Sequence, residues 1–162
     1  MRRSDGKWFL TRFKQTIYHY QMITPGDRVV VGLSGGRDSS VLLLLLDWFR
    51  HISPLSFRLH AVYVDLGWNT DFSPLKKFTG DLDIPLQVER TAIARIVFDR
   101  REEKNPCSLC ANLRRGALNQ AAQKLGAGKV ALGHHLDDVI ETFFLNLIYT
   151  GHIKVESGVV LY

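Results

Sequence analysis

The sequence has only two cysteines in 162 residues, and it lacks any apolar run long enough to cross a lipid bilayer. A spanning helix needs about 20 consecutive apolar residues. The charged start of the chain is not followed by the apolar segment and small-residue cleavage site of a secretory signal. We therefore expect a cytoplasmic protein without membrane contact. In that compartment, two cysteines at Cys-x-x-Cys spacing indicate metal or redox chemistry more than a structural disulfide.

Internal repeats and low-complexity segments are also absent. Hydrophobic residues make up 46% of the chain and charged residues 23%, which is typical of a globular domain with a real core. The net charge of +5 favours a polyanionic partner. The same charge would also serve solubility alone, so composition leaves both interpretations open.

A glycine-rich stretch at residues 34–40 carries the strongest chemical signal. It follows a β-branched run at 29–33, which predicts a buried strand, and precedes an apolar run at 41–46, which predicts the buried start of a helix. Glycines in such a turn let the backbone approach a ligand, and the helix dipole favours an anion there. Ser39 or Asp38 is expected to cap the helix. We predict a phosphate-binding turn made by Ser34, Gly35, Gly36, Arg37, Asp38 and Ser39.

Two common phosphate-binding motifs do not fit this stretch. A Walker A loop requires Gly-x-x-x-x-Gly-Lys followed by Ser or Thr, and that spacing is absent. The spacing of Gly32, Gly35 and Gly36 also differs from the dinucleotide pattern Gly-x-Gly-x-x-Gly. The turn therefore belongs to another class of phosphate site.

The start of the chain predicts an amphipathic helix over residues 5–22. The basic residues outside the apolar stripe of this helix would contact RNA phosphates or only face solvent. We divide the chain into a basic amphipathic helix at 1–24 and a nucleotide-binding domain at 25–162. The apolar stripe of the helix consists of Phe9, Phe13, Ile17 and Tyr20.

Strand and helix patterns alternate after the turn at residues 24–27. This alternation predicts an α/β fold with a doubly wound parallel sheet, in which ligands bind at the carboxyl ends of the strands. The segment 91–104 has no clear pattern. The predicted strands are 29–33, 57–64, 84–89 and 129–133, with a further candidate at 158–162. The first predicted helix after the glycine-rich turn ends near residue 50, and the later predicted helices span 73–81, 109–125 and 134–149.

Two more segments fall at the carboxyl ends of predicted strands. Val64 and Asp65 end the second strand, where the following loop 66–69 would receive a base or ribose. The segment 133–142 opens the last helix and contains Gly133, His134, His135, Asp137, Asp138 and Glu141. Its three carboxylates share one helical face and could hold Mg²⁺ on a triphosphate, or could cap the helix against its dipole.

Cys107 and Cys110 bracket a turn that runs into a helix, where the dipole favours thiolates. They supply two ligands, whereas a closed zinc site needs four. Spacing does not say whether a histidine completes such a site. Arg114 and Arg115 follow on the same helix and would contact pyrophosphate or RNA, or only solvent.

Three motifs, taken in order, resemble one family. They are Ser-Gly-Gly-Arg-Asp-Ser at 34–39, Pro-Cys-Ser-Leu-Cys with Leu-Arg-Arg-Gly at 106–116, and His-His-Leu-Asp-Asp-Val-Ile-Glu-Thr-Phe-Phe-Leu-Asn at 134–146. The chain resembles the PP-loop ATP pyrophosphatases over about residues 15–150. The cysteine motif and the Phe-Phe-Leu-Asn tail are similar to the branch that thiolates cytidine in tRNA, while the His-His motif is shared with lysidine-forming enzymes.

This resemblance implies an enzyme that uses ATP and Mg²⁺ to adenylate a tRNA base, releases pyrophosphate, and accepts sulfur carried on an iron-sulfur cluster. The implied partners are tRNA and an unidentified sulfur donor. It implies Cys107 and Cys110 as ligands of a [4Fe-4S] cluster. The implied catalytic residues are Asp38, Asp137, Asp138 and Glu141, and the implied ATP contacts are residues 34–39, Val64, Asp65, Gly133 and His134.

Two departures from the family pattern bear on this interpretation. Arg37 stands where the family usually has Lys, which keeps the charge but changes the contact geometry. The third cluster cysteine is absent, and the chain ends at Tyr162, where the family continues. We therefore expect a shortened or truncated form that binds iron weakly or not at all, with dimers favoured if apolar surface is left uncovered. The alternatives are a lysidine synthetase-like ligase and a non-catalytic ATP-binding module.

Overall fold

Strand β1 (Arg28–Leu33) is one of the two inner strands of a four-stranded parallel sheet. The computed structural model describes residues 3–68, 70–100, 106–134 and 148. Along the chain, the further elements are α1 (Arg3–His19), α2 (Arg37–Ile52), β2 (Arg58–Asp65), α3 (Ser73–Asp81), β3 (Leu86–Arg90), a π-helical segment (Arg95–Arg100), α4 (Pro106–Lys124) and β4 (Lys129–Leu132).

The strand order β3-β2-β1-β4 confirms the predicted doubly wound α/β fold. Val30 of β1 lies opposite His60 of β2 on one side and Val130 of β4 on the other. The chain moves outward from β1 through β2 to β3, and then crosses back to β4 on the other side of β1. This reversal creates a crevice at the carboxyl ends of β1 and β4, where open α/β sheets bind ligands.

Alternate residues of the central strands enter two separate cores, one on each face of the sheet. On one face, β1 and β2 pack against α1, α2 and α3; on the other, they pack against α4 and the π-helical segment. This pattern follows from the two-residue repeat of a strand and explains why β1 is apolar throughout. The first core includes Val29, Val31, Leu33, Leu43, Phe49 and Leu59, and the second includes Val30, Val62, Val64, Val97 and Leu118.

An ion pair links the first residue of β4 to the residue that precedes β1. Lys129 Nζ lies 2.7 Å from Asp27 Oδ2. The same carboxylate accepts hydrogen bonds from the backbone N–H and the hydroxyl of Thr24, at 2.6 and 3.0 Å. Partial burial raises the pKa of Asp27, but the hydrogen bonds from Lys129 and Thr24 outweigh it, so the pKa lies below its ordinary value. The predicted turn at 24–27 is confirmed by these contacts.

Helix α1 ends earlier than the apolar stripe predicted. It stops at His19, and Gln21 adopts a left-handed φ of 49°. Ile17 is buried in the first core, but Tyr20 is 66% exposed. The placement of Tyr20 on the buried stripe was wrong, because the helical repeat no longer applies once the helix has ended.

The apolar run at the start of α2 is only partly buried. Leu43 and Leu46 face the sheet, whereas Val41 and Leu44 are 47% and 43% exposed. An α-helix has 3.6 residues per turn, so six consecutive residues point to all sides of it and cannot all face the same core. The predicted burial of this helix start is therefore confirmed for Leu43 and Leu46 and wrong for Val41 and Leu44.

The unpatterned segment after β3 contains the π-helical segment, which the sequence did not predict. Ile93 and Val97 anchor this region in the second core. Helix α4 begins at Pro106, three residues before the predicted start, and proline suits the first turn because it has no N–H to leave unpaired. Both cysteines therefore lie inside the first helical turns and not in a turn before them.

The last predicted helix and the candidate strand at 158–162 lie outside the described residues, except that Ile148 is helical. The division at residue 24 stays a prediction. Within the part of the chain that the structure describes, no helix has both the length and the apolar character needed to cross a membrane.

His60 should make stability depend on pH. Its Nδ1 is buried and has no hydrogen-bond partner among the described residues. Burial lowers the pKa of His60, and the positive charges of Arg28 and Arg58 lower it further. The unfolded chain therefore takes up this proton at a higher pH, near the ordinary value of about 6.5. Stability should be complete above that pH and should fall as the pH drops towards the lower folded pKa.

Urea unfolding at several pH values between about 7.5 and 5 would test this contribution, because His60→Gln should flatten the loss of unfolding free energy in that window. An identical acid-dependent loss in the wild type and in His60→Gln would contradict it.

Candidate functional site

The turn between β1 and α2 has the backbone geometry of an anion site. Gly35 has a φ of 82°, in the left-handed region that glycine adopts at no steric cost. Gly36 is the N-cap of α2, and its N–H donates a 3.2 Å hydrogen bond to Ser34 Oγ. Gly36 has no side chain with which to cap the helix, and the expectation that Ser39 or Asp38 would be its cap was wrong. The positive end of the helix dipole is left directed at the turn.

Ser39 fixes the shape of this turn from within. The residue is 4% exposed, and its Oγ accepts a hydrogen bond from the Ser34 N–H at 3.2 Å. The same hydroxyl donates to the Gly36 carbonyl at 3.2 Å, and the Ser40 hydroxyl donates to that carbonyl at 3.0 Å. Residues 34–39, predicted from the sequence to bind phosphate, therefore form one hydrogen-bonded unit, which we call the phosphate turn.

The chain that leaves β4 passes directly against the phosphate turn. A Cβ added at Gly133 would lie 2.8 Å from the Ser39 backbone nitrogen and 2.9 Å from the Asp38 carbonyl carbon. These neighbours are backbone atoms, which cannot move aside as a flexible side chain can. Glycine is therefore required at 133. Gly133 and His134 both line the cavity beside this turn, and their predicted contact with ATP stays a prediction.

A cavity of about 410 Å³ opens beside this contact, within the range of about 300–1,000 Å³ typical of small-molecule sites. It lies at the carboxyl ends of β1, β2 and β4, and α4 closes one side. The described residues that line it are Gly32, Leu33, Ser34, Ser39, Val62, Tyr63, Val64, Leu66, Trp68, Thr70, Ala111, Arg114, Arg115, Leu118, Leu132, Gly133 and His134.

The lining combines an apolar floor with polar and cationic edges. Val62 and Leu118 belong to the floor, which continues into the second core. Arg114 and Arg115 both line the cavity, although neighbours on a helix point about 100° apart. Two guanidinium groups beside an anion-binding turn are suited to a polyphosphate. Sequence reasoning had left open whether these arginines face only solvent, because the direction of α4 was not readable.

Asp65 has a structural role that sequence reasoning missed. Its Oδ1 accepts a 2.9 Å hydrogen bond from the Gly67 N–H, and the residue is 9% exposed. Gly67 has a φ of 96°, so the carboxylate stabilises a turn that glycine is suited to make. Val64 lines the cavity, whereas Asp65 is not among its lining residues. The predicted ATP contact of Asp65 stays a prediction.

The two cysteines offer an incomplete metal site. Cys107 is exposed and Cys110 half-buried, and both are free thiols near the start of α4. Ala111 and Arg114, which follow them, line the cavity. Across the described ranges, no group of three or more His, Cys, Asp or Glu side chains is arranged to hold a metal ion. These residues therefore supply two thiols and no further ligand.

The acidic cluster predicted to bind Mg²⁺ lies outside the described residues. His135, Asp137, Asp138 and Glu141 remain predictions, as does their catalytic role. Asp38 lies in the first turn of α2, beside the phosphate turn.

Replacing Gly133 with alanine should disturb both stability and nucleotide binding. Overpacking of this kind typically costs about 1–3 kcal/mol, and here the clash is with the backbone of the phosphate turn. We expect Gly133→Ala to lower the unfolding free energy by about that amount, and to weaken ATP binding by roughly tenfold or more. Urea unfolding and calorimetric titration with ATP would measure the two effects.

Gly128→Ala is the matched control, because a Cβ at Gly128 meets nothing within 4 Å. If Gly133→Ala bound ATP as tightly as Gly128→Ala, the contact between residue 133 and the phosphate turn would not shape the site.

Comparison with known proteins agrees with this geometry. The chain is 42% identical to the tRNA-cytidine(32) 2-sulfurtransferase of Pelobacter propionicus, over 89% of this chain and 54% of that protein. It is also 42% identical to the protein of the same name from Aliivibrio salmonicida, over 95% of this chain and 48% of that protein. The chain spans about half the length of these relatives.

Among solved structures, the chain is similar to the U34-tRNA thiolase NcsA from Methanococcus maripaludis with its [4Fe-4S] cluster. The TM-score is 0.72 and the identity 26%, over 89% of this chain and 49% of that one. The NH₃-dependent NAD synthetase from Campylobacter jejuni shares the fold, with a TM-score of 0.57 at 16% identity over 88% of this chain and 61% of that one. Residues 9–157 match the family described as the PP-loop domain, and the chain therefore belongs to the PP-loop family.

Proposed function

We propose that the chain is the ATP-binding part of a tRNA-modifying enzyme that adenylates a cytidine in tRNA, releases pyrophosphate and prepares the base for sulfur transfer. The observation that carries this proposal is the phosphate turn packed against Gly133 at the edge of a cavity lined by Arg114 and Arg115. We take tRNA as the nucleic acid and cytidine as the base because the relatives are tRNA-cytidine(32) 2-sulfurtransferases. We also propose a cytoplasmic location, which a tRNA substrate would suit.

ATP would bind with its phosphates on the phosphate turn and its adenosine along the apolar wall of the cavity. The helix dipole of α2 and the turn amides favour the negative charge of the phosphates. Val64 belongs to the wall, and His134 lies where the chain leaves β4, beside the turn. Arg37, at the start of α2, would add a planar cation where the family usually has lysine.

The reaction would be an in-line transfer to the base. A lone pair on O2 of the cytidine forms a bond to the α-phosphorus, and the bond from that phosphorus to the bridging oxygen breaks. The electron pair leaves with pyrophosphate, and the base carries AMP. A sulfur nucleophile then adds at C2, and AMP departs with the original oxygen. Arg114 and Arg115 would stabilise the charge that develops on the leaving pyrophosphate.

Carboxylates would hold Mg²⁺ on the triphosphate. We propose Asp38, Asp137, Asp138 and Glu141 for this role, since hard oxygen ligands suit Mg²⁺ and phosphates complete its coordination. The proposal rests on the sequence pattern for the last three and on the position of Asp38 beside the phosphate turn.

Cys107 and Cys110 would contribute two ligands to a [4Fe-4S] cluster, as suggested by the cluster in the NcsA structure. Such a cluster would carry the sulfur chemistry of the second step. This chain has no other cysteine, so any further ligand would not be a cysteine of this chain. The two thiols lie next to the residues of α4 that line the cavity, which suits delivery of sulfur to a base bound at its mouth.

ATP labelled at the α-phosphate tests the first step directly. With Mg²⁺ and unmodified tRNA, labelled AMP and pyrophosphate should form, and omission of tRNA should abolish both. Thin-layer chromatography separates AMP from ADP. Formation of ADP would contradict the proposed bond cleavage, and ATP binding without any turnover would favour a non-catalytic nucleotide-binding module.

Removing both cysteines distinguishes a thiolation reaction from a lysidine-forming reaction. Neither thiol touches the phosphate turn in the described contacts, so the double variant Cys107→Ala with Cys110→Ala should retain at least half of the tRNA-dependent AMP release. Incorporation of radioactive sulfur into tRNA, in the presence of a sulfur donor, should fall to background. Full incorporation by the double variant would contradict a role for the pair, and lysine attached to tRNA would identify the chain with the ligase alternative.

A further inference from the structure

We propose that Trp68 and Phe98 form a stacking platform for one unpaired base of the RNA substrate, at the mouth of the ATP cavity. We call these two residues the aromatic platform. The inference deepens the proposed function, on which it rests for the identity of the substrate as RNA. It assigns a role in substrate recognition to a surface that neither ATP binding nor phosphate chemistry requires.

The two rings touch each other but remain open to solvent. Their centroids are 5.9 Å apart, with 34° between the ring planes. Trp68 is 61% exposed and Phe98 is 55% exposed. Large aromatic side chains are usually mostly buried, so two that meet on the surface leave ring faces available to a third flat group.

Backbone hydrogen bonds hold the platform in place. The Thr91 N–H and hydroxyl both donate to the Asp65 carbonyl, at 2.9 and 2.8 Å, and the Ala94 N–H donates to the Leu66 carbonyl at 2.9 Å. A Cβ at Gly67 would lie 2.9 Å from the Thr91 carbonyl oxygen, so the two loops are in tight contact. The loop after β2 and the segment after β3 are therefore joined, and their aromatic side chains meet.

The core fixes the other side of the platform. Val97 is 1% exposed and Ile93 4% exposed, and both pack in the second core. Phe98 follows Val97 in the π-helical segment, and its side chain lies on the solvent-facing side of that segment. A hydrophobic side chain so firmly directed outward is suited to a partner that arrives from solution.

The position of the platform favours a base of RNA over the adenine of ATP. Trp68 lines the cavity, but Phe98 is not among the lining residues, so the platform extends from the mouth outwards. Val64 and Leu66 are largely buried and line the cavity, so they would give the adenine of ATP an apolar wall inside it. A second base, bound on the platform, would lie next to the nucleotide that must react with it.

Charge around the platform also suits RNA. Arg114 and Arg115 line the same cavity, and Arg95 is exposed three residues before Phe98. The chain as a whole carries a net charge of +5. Cationic groups that meet phosphates, combined with aromatic rings that stack unpaired bases, are the usual means of binding single-stranded RNA.

The test compares binding of two RNAs to variants of the full chain. The probes are a fluorescein-labelled anticodon stem-loop and a fully paired RNA duplex of the same length, titrated at a fixed salt concentration. Phe98→Ala should weaken binding of the stem-loop about tenfold, since loss of one base–aromatic stack has an effect of this order. Binding of the duplex, and binding of ATP measured by calorimetry without RNA, should change by less than about twofold.

Trp68→Ala should weaken stem-loop binding at least as much, and Trp68→Phe should restore most of the affinity because a flat ring is retained. Tyr20→Ala is the matched control. Tyr20 is also an exposed aromatic, at 66%, and contacts the His19 ring, but it lies in the segment that leads into the amino end of β1. Tyr20→Ala should leave stem-loop binding unchanged. Thermal unfolding of each variant checks that the fold is intact.

The platform is overturned if Phe98→Ala and Trp68→Ala bind the stem-loop as the wild type does, or if Phe98→Ala weakens ATP binding as much as stem-loop binding. These results can be told apart from a failure of the proposed function. Normal tRNA-dependent AMP release with no effect of the variants rejects the platform alone. Selective loss of stem-loop binding in a chain that never forms AMP supports the platform and rejects the reaction.

Discussion

The contact between Gly133 and the first turn of α2 sets how the segments that follow β1 and β4 meet in the site. Two strand ends, β1 and β4, meet there with no side chain between their following segments. Ser39 hydrogen-bonds within the phosphate turn and so holds its backbone in one shape. Because β1 is buried and β4 pairs with it in parallel, the turn and the residues after β4 are fixed relative to each other, as a preorganised anion site requires.

The cavity extends this arrangement from phosphate towards a second substrate. Arginines from α4 lie at one side, an apolar wall from β2 lies at another, and the aromatic platform stands at the mouth. On the proposed function, a nucleotide would bind inside the cavity and an RNA base would bind on the platform at its mouth. This arrangement would bring two substrates together, as nucleotidyl transfer requires.

The sequence was a good guide to the sheet, because β1 is buried on both faces and its neighbours carry the expected β-branched residues. It also located the turn before α2, since Gly35 marks a left-handed backbone position that glycine favours. It could not show that Arg114 and Arg115 line the cavity, because helix direction depends on packing. The meeting of Trp68 with Phe98 joins loops thirty residues apart, and the π-helical segment is stabilised by core contacts of Val97 and not by local pattern.

The central claim is that the phosphate turn and the segment after β4 bind the phosphates of ATP together. Hydrogen–deuterium exchange, with Mg²⁺ and with or without a non-hydrolysable ATP analogue, measures this claim directly. The account predicts that the analogue slows exchange of the amides at residues 34–39 and at 133–134 in parallel. Protection of only one of these segments, or protection confined to the amino ends of the strands, would contradict it.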